Sequence, residues 1–289
     1  LFCDCCDCGI CGLLFQLRIH CNTTGGFIGG PRPGDARKFT RRSAVAYSRN
    51  CMKHSTLFLA GAALFLLLSL SAGAVSPVTG KLIALDAGHG GAEKGACNAA
   101  YPVCEKDVNL AVVYALEDQL EAKDVGAIVV LTRAGDETLD SRKSRVDYAI
   151  EQCQLAVGRK CDILVSVHHN GSNDPNHDGT LVIYNERQDK PLAIALHDAL
   201  RASLNLPDEG YDNGGYGITV YGHLVSALTE AYYITNDWEA EQYLLGTPFA
   251  TPSGYTVLVG DRVNQEAQAE FDAINSYFAN QPPKKGGRK

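Results

Sequence analysis

The sequence predicts an α/β fold: a single domain with a twisted, mostly parallel or mixed sheet flanked by helices on both faces. Three observations carry this. Short, continuous apolar runs such as Lys81-Leu-Ile-Ala-Leu-Asp86 and Asp162-Ile-Leu-Val-Ser-Val167 read as strands buried on both sides. Other segments place one apolar residue every four, as amphipathic helices do. The two kinds alternate along the chain, which implies a sheet covered by helices rather than a bundle or a sandwich.

Taken in order, residues 81–86 form the first strand, ending in a Gly-rich turn. From Asp107 to Ala122, Val108, Val112, Leu116 and Leu120 make one helical stripe. Ala127 to Thr132 is a second strand. Asp140 to Gln154 is helical, with Val146, Ile150 and Cys153 inward. Residues 162–167 and Thr180 to Tyr184 are the third and fourth strands. Pro191 to Leu204 is a helix carrying Leu192, Leu196, Leu200 and Leu204. Val225 to Glu230 reads as a further strand, and Arg262 to Phe278 as a closing helix. No repeat of fixed period is present.

The chain has 289 residues, a formal net charge of -7, 45% hydrophobic and 20% charged residues. This composition excludes a disordered chain, a collagen-like repeat and a multi-span membrane protein. The acidic balance argues against nucleic acid as a partner, since non-specific binding needs a basic surface. Charge is unevenly spread. Residues 1–74 hold 8 Lys/Arg against 3 Asp/Glu, and the remainder holds 18 against 30.

That front end reads as separate from the working domain. Met52-Lys53-His54 precedes the apolar run Leu57 to Leu68 and the small pair Ala72 and Ala74. This is the pattern of a secretory signal peptide over residues 52–74, cleaved after Ala74. The run falls short of the ~20 residues that span a bilayer, so an uncleaved anchor is the second reading. Residues 1–51 read as upstream sequence from a misplaced start, or as an atypical leader. Cys3, Cys5, Cys6, Cys8 and Cys11 lack the paired spacing of a zinc finger. The catalytic domain is then 75–281, followed by a flexible basic tail at 282–289.

Four cysteines remain after Ala74: Cys97, Cys104, Cys153 and Cys161. An even count in an exported protein suggests disulfides. Three pairings exist, of which the local ones, Cys97–Cys104 and Cys153–Cys161, are the simplest. Four free buried thiols are the alternative.

In such sheets functional groups gather beyond the carboxyl ends of the strands. Four segments sit there: Leu85-Asp86-Ala87-Gly88-His89-Gly90-Gly91, Glu105-Lys106-Asp107-Val108-Asn109-Leu110, Ser166-Val167-His168-His169-Asn170, and Thr229-Glu230-Ala231-Tyr232-Tyr233-Ile234-Thr235-Asn236. Two histidines and one carboxylate can hold zinc and leave a fourth position for water, the pattern of a catalytic site. A further carboxylate can take the proton from that water.

With LDAGHGG, EKDVNL, LTRAGDETLDSRKSRVDYA, CDILVSVHHNG and TEAYYITN in this order, residues 81–278 resemble the zinc-dependent N-acetylmuramoyl-L-alanine amidases of the amidase-3 family, which cleave bacterial cell walls. The resemblance implies a mixed α/β sheet with helices, and Zn2+ held by His89, Glu105 and His168. It places the catalytic glutamate on Glu230. There the chain departs from the family pattern: Tyr232 and Tyr233 replace a Gly-Phe pair, and a nearby proline is absent.

The remaining polar residues are read more plainly. His169 is adjacent to a ligand, and strand alternation lets only one of the two histidines face the metal. It is then a supporting, substrate-facing or solvated residue. Asn170 and Tyr232 are candidate substrate-binding residues. Arg133 and Arg142 match family positions and read as structural ion-pair residues. His197 is placed on the polar side of its helix, and His177 and His223 have no supporting context.

The expected function is that of a secreted zinc amidase acting on peptidoglycan, periplasmic or in the cell wall, without stable membrane insertion after cleavage. It would cut the amide between N-acetylmuramic acid and L-alanine. Some relatives insert a regulatory helix before the glutamate. Residues 204–218 leave little room for one, so no activator protein is expected to be required. A catalytically inactive wall-binding module and a related zinc exopeptidase or deacetylase are the alternatives.

Overall fold

The apolar runs and helical stripes assemble into one layered unit. A computed structural model describes residues 75–282 apart from Asp140 and Tyr216. The upstream stretch 1–51, the leader assigned to 52–74 and the tail beyond Pro282 lie outside the described residues.

Six strands form the main sheet in the order β2-β1-β3-β6-β4-β5. They are β1 (Leu82–Ala87), β2 (Ile128–Leu131), β3 (Ile163–Asn170), β4 (Thr180–Tyr184), β5 (Asp208–Asn213) and β6 (Ser226–Tyr233). The pairs β1–β2, β1–β3 and β3–β6 are parallel, whereas β4 meets β6 antiparallel and pairs β5 in parallel. The sheet is therefore mostly parallel and mixed at one edge, as the sequence pattern implies.

The helices are α1 (Glu105–Glu121), α2 (Arg142–Val157), α3 (Lys190–Leu204), α4 (Asp237–Leu244) and α5 (Asp261–Ala279). A short antiparallel ribbon, β7 (Thr247–Ala250) with β8 (Thr256–Val259), precedes α5. Period-two alternation sorts the strands between two cores. Ile83, Leu85, Val165 and Ala227 pack with Val108 and Leu116 of α1, Leu192 and Leu196 of α3, and Val263 and Ile274 of α5. Leu82, Ala84 and Leu164 face the other way, against Val146, Ala149 and Cys153 of α2. Each fully buried Leu or Ile here contributes ~1.5–3 kcal/mol.

Helix α2 has a reciprocal cap. Ser141 Oγ accepts from the backbone N–H of Ser144, whose hydroxyl accepts from the N–H of Ser141. It stops at Gly158, whose φ of 73° suits glycine. Helix α1 has no side-chain cap, and its first turn is instead clipped by the Cys97–Cys104 disulfide (S–S 2.00 Å). The second disulfide, Cys153–Cys161, ties the end of α2 to the start of β3 (S–S 2.12 Å). Both are the local pairings.

Elements without an apolar period escape sequence reading. Strand β5, Asp208-Glu-Gly-Tyr-Asp-Asn213, is an edge strand recruited by backbone pairing to β4. The 3-10 turn Gly217–Val220, helix α4 and the β7–β8 ribbon are likewise absent from the pattern-based map. Among the described residues no helix is long and apolar enough to cross a membrane.

Candidate active site

The carboxyl ends of β1 and β3 and the first turn of α1 converge on one cleft. His89 follows β1, Glu105 opens α1 and His168 lies near the end of β3. One ligand atom from each falls within 4.8 Å of the others. Glu105 Oε1 stands 3.0 Å from His89 Nε2 and 2.8 Å from His168 Nδ1. Two imidazoles and a carboxylate are a borderline nitrogen and oxygen donor set, which suits a catalytic metal position with an open site.

Local backbone shapes this cluster. His89 adopts a left-handed φ of 60°, uncommon for a side chain other than glycine. Arg145 supports that turn by donating to the His89 carbonyl. Gly88 lies against the His168 ring so closely that a Cβ there would overlap it. The Glu105 carboxylate is oriented from two sides: Ala96 N–H donates to Oε2 at 2.9 Å, and His169 N–H to Oε1 at 3.2 Å. Burial opposes its charge, but hydrogen bonds from His168 and His89 outweigh this and hold Glu105 well below the usual carboxylate range.

Glu230 lines the same cleft from β6, in register with His168. Its Oε2 is buried and makes no hydrogen bond among the described residues. Burial, then the nearby Glu105 charge, pushes its carboxyl well above the ordinary range. The cleft encloses about 230 Å³, and Asn170, Arg142 and Glu93 also line it. A larger groove of about 640 Å³ lies elsewhere, between α1 and the β7–β8 ribbon.

Several sequence expectations need correction. Tyr232 shares parity with Glu230 in sequence, yet it is fully buried and stacks on His169 with ring centroids 4.2 Å apart. A bulge is the reason. His168 pairs with Glu230, but Asn170 pairs with Tyr233, so β6 gains one residue and its facing inverts. Tyr232 therefore packs beneath the site, over Arg262, with no surface open to the cleft. His169 is not solvated: Nδ1 meets Asn109 Oδ1 at 2.6 Å and Nε2 meets Glu266 Oε2 at 2.9 Å, all buried. His197 is buried rather than polar-facing, bonded to Asp198 and Asp208. His223 is exposed and pairs with Glu186 away from the cleft.

The two arginines also differ from expectation. Arg133 forms no ion pair with an acid among the described residues. It donates to the carbonyls of Ala87, Gly88, Lys106 and Gly135, bracing the loop behind His89. Burial, then the Arg145 charge, lowers its pKa to about 10. The Arg142 side chain makes no hydrogen bond or ion pair with any described residue.

Sequence reading missed Asp86 and Arg145. Asp86 is fully buried and receives Arg145 at 2.9 Å, Ser166 at 2.6 Å and Thr132 at 2.5 Å. Burial opposes its charge, but these partners more than offset that and lower its pKa. An acid inside an otherwise apolar strand was the available signal. Asn109, which donates to the Gly88 carbonyl at 3.1 Å, lies in the EKDVNL segment but was given no role there, and Glu266 was missed for want of any local pattern.

A layered α/β sheet, three convergent donors at its carboxyl edge that could hold a metal ion, and a buried, unpaired acid beside them have the make-up of a hydrolytic domain. Residues 83–245 match the family model described as N-acetylmuramoyl-L-alanine amidase. The chain belongs to that family. It is similar to the uncharacterized protein YqiI of Bacillus subtilis (strain 168), with 32% identity over 190 residues, covering 64% of this chain and 85% of that one. It is also 31% identical over 171 residues to the N-acetylmuramoyl-L-alanine amidase LytC of the same organism, covering 58% of this chain and 32% of LytC. Among solved structures, the catalytic domain of the amidase CwlV from Bacillus (Paenibacillus) polymyxa var. colistinus matches with a TM-score of 0.56 and 27% identity. That match covers 70% of this chain and 99% of the other.

Proposed function

We propose that this chain is an exported, zinc-dependent amidase hydrolysing the amide between N-acetylmuramic acid and the L-alanine of peptidoglycan. The observation that carries the reading is the convergence of His89, Glu105 and His168 beside the unpaired Glu230 carboxyl. The donor set fits zinc in type and number. When bound there, zinc supplies Lewis-acid chemistry, lowering the pKa of water toward about 7 and polarising a carbonyl.

The chain's own residues do the rest. His89, Glu105 and His168 hold the ion, with Glu105 oriented by Ala96 and His169 N–H groups. Arg133 and Arg145 hold the loop carrying His89. The Glu230 carboxylate takes a proton from the attacking water as the water oxygen bonds to the lactyl carbonyl carbon. It returns that proton to the alanine nitrogen as the C–N bond breaks, so the products are a carboxylic acid and a free amine. A carboxyl of raised proton affinity suits such a shuttle. Asn170 lines the cleft wall, which supports a role in orienting substrate.

Export is supported by the leader pattern in the sequence and by the two disulfides, which persist in oxidising compartments. Action without an activator protein is supported by the segment between α3 and β6. Among its described residues it holds only β5 and the 3-10 turn, with no α-helix over the cleft. The test is digestion of purified peptidoglycan followed by mass spectrometry. Release of intact stem peptides from intact glycan chains supports the amidase. Release of single amino acids or acetate favours an exopeptidase or deacetylase, and no release alongside wall binding favours an inactive binding module. Activity that appears only with an added activator overturns the proposal of independence.

A further inference from the structure

The cleft is rich in acids, and its substrate, under the amidase reading on which this inference rests, carries acids too. Asp86, Glu93, Glu105 and Glu230 line it. Arg145 offsets Asp86 and, under that reading, the bound ion offsets Glu105, so a peptide carboxylate is held most firmly where a further cation faces it. Two guanidinium groups line the cleft, those of Arg142 and Arg145. Arg145 is spent: it is buried and bonded to Asp86 Oδ1 and the carbonyls of Ala87 and His89. Arg142 lies three residues earlier on α2, so both project from one helix face. It is exposed on the cleft wall and has no hydrogen-bond or ion-pair partner among the described residues.

We propose that Arg142 is a specificity-determining residue that binds a carboxylate of the stem peptide beside the scissile amide. Guanidinium presents a planar pair of donors that match both carboxylate oxygens, and no polar contact to a described residue has to break before it does so. The second residue of a stem peptide bears an α-carboxyl group that is either free or amidated. Arg142 selects the free form. A carboxamide offers one acceptor and no charge, so it gains little from the same contact.

The test uses the full chain loaded with zinc and two N-acetylmuramoyl tripeptides that differ only at that group, free carboxylate in one and carboxamide in the other. The wild type is expected to favour the acid in kcat/KM by roughly tenfold or more. Arg142→Ala is expected to lose most of that preference through KM, with kcat nearly unchanged and an effect on the amidated substrate below about threefold. Arg142→Lys restores part of the preference, because charge returns without the paired geometry. Equal losses on both substrates, a loss confined to kcat, or no loss on either overturns the proposal. Cleavage of neither substrate by the metal-loaded wild type sinks the amidase reading and this inference with it. Cleavage of both without preference sinks this inference alone.

Discussion

His168 and Glu230 occupy the same register position on the neighbouring parallel strands β3 and β6. The proposed metal donor and the buried acid are thereby set side by side by backbone hydrogen bonds rather than by flexible loops. Their functions should be separable by substitution.

Glu230→Gln keeps size and shape but cannot shuttle a proton. Turnover is expected to fall about 10²–10⁴-fold. Metal content per chain, measured by elemental analysis, should not change. Full activity in this variant would remove Glu230 from the mechanism.

His168→Ala removes one of three donors. The purified variant should lose stoichiometric metal and its activity together. For the wild type, a chelator should abolish hydrolysis and added zinc should restore it. Undiminished metal content in His168→Ala would place the ion elsewhere.

Gly88→Ala tests the close approach behind His168. The added Cβ overlaps the imidazole, so the ring must turn away from Glu105. The expected outcome is at least tenfold weaker metal affinity with a circular-dichroism spectrum like that of the wild type. Unaltered affinity would show that the ring is not held by this contact.

The Cys97–Cys104 disulfide clamps the loop whose Ala96 N–H orients Glu105. The double change Cys97→Ser, Cys104→Ser should cost about 2.5 kcal/mol from the loop-entropy relation, or roughly 5–10 °C in melting temperature for a domain of this size. Metal affinity should fall with it. Thermal scans with and without zinc would measure both, and an equal Tm in the two chains would contradict the clamp.

Glu117 in α1 gives a pH signature away from the cleft. Burial, then the charges of Glu121 and Asp118, raises its pKa from 4.5 to about 7. The folded chain thus keeps a proton that the unfolded chain has lost. Its stabilising contribution is complete below about pH 4.5 and is lost as pH rises through 7. Glu117→Gln should therefore raise the melting temperature at pH 8, by about 1 kcal/mol or a few degrees after allowing for solvent screening at a partly exposed group. At pH 4 the gain should vanish. A gain of equal size at both values would assign the effect to something other than this titration.

The sequence by itself determined the layered fold, its principal strands and helices, and the four segments that meet at the cleft. Those features are local: apolar periodicity of two or about four is written into consecutive residues, and turn glycines mark where strands end. It also singled out His89, Glu105 and His168, through motifs in a fixed order, as residues that the structure brings within 4.8 Å of one another. Only the tertiary structure decided which side chains face one another. Tyr232 has the parity of Glu230 but leaves the cleft, because the bulge is a matter of register between β6 and β3. Arg145 is spent because Asp86, far away in sequence, lies across the sheet face from α2, whereas the Arg142 side chain bonds to none of the described residues. Strand β5 exists because β4 offers an open edge, not because its own residues demand extension. Partners that meet across the sheet are chosen by packing, and packing between distant segments has no signature in the order of neighbouring residues.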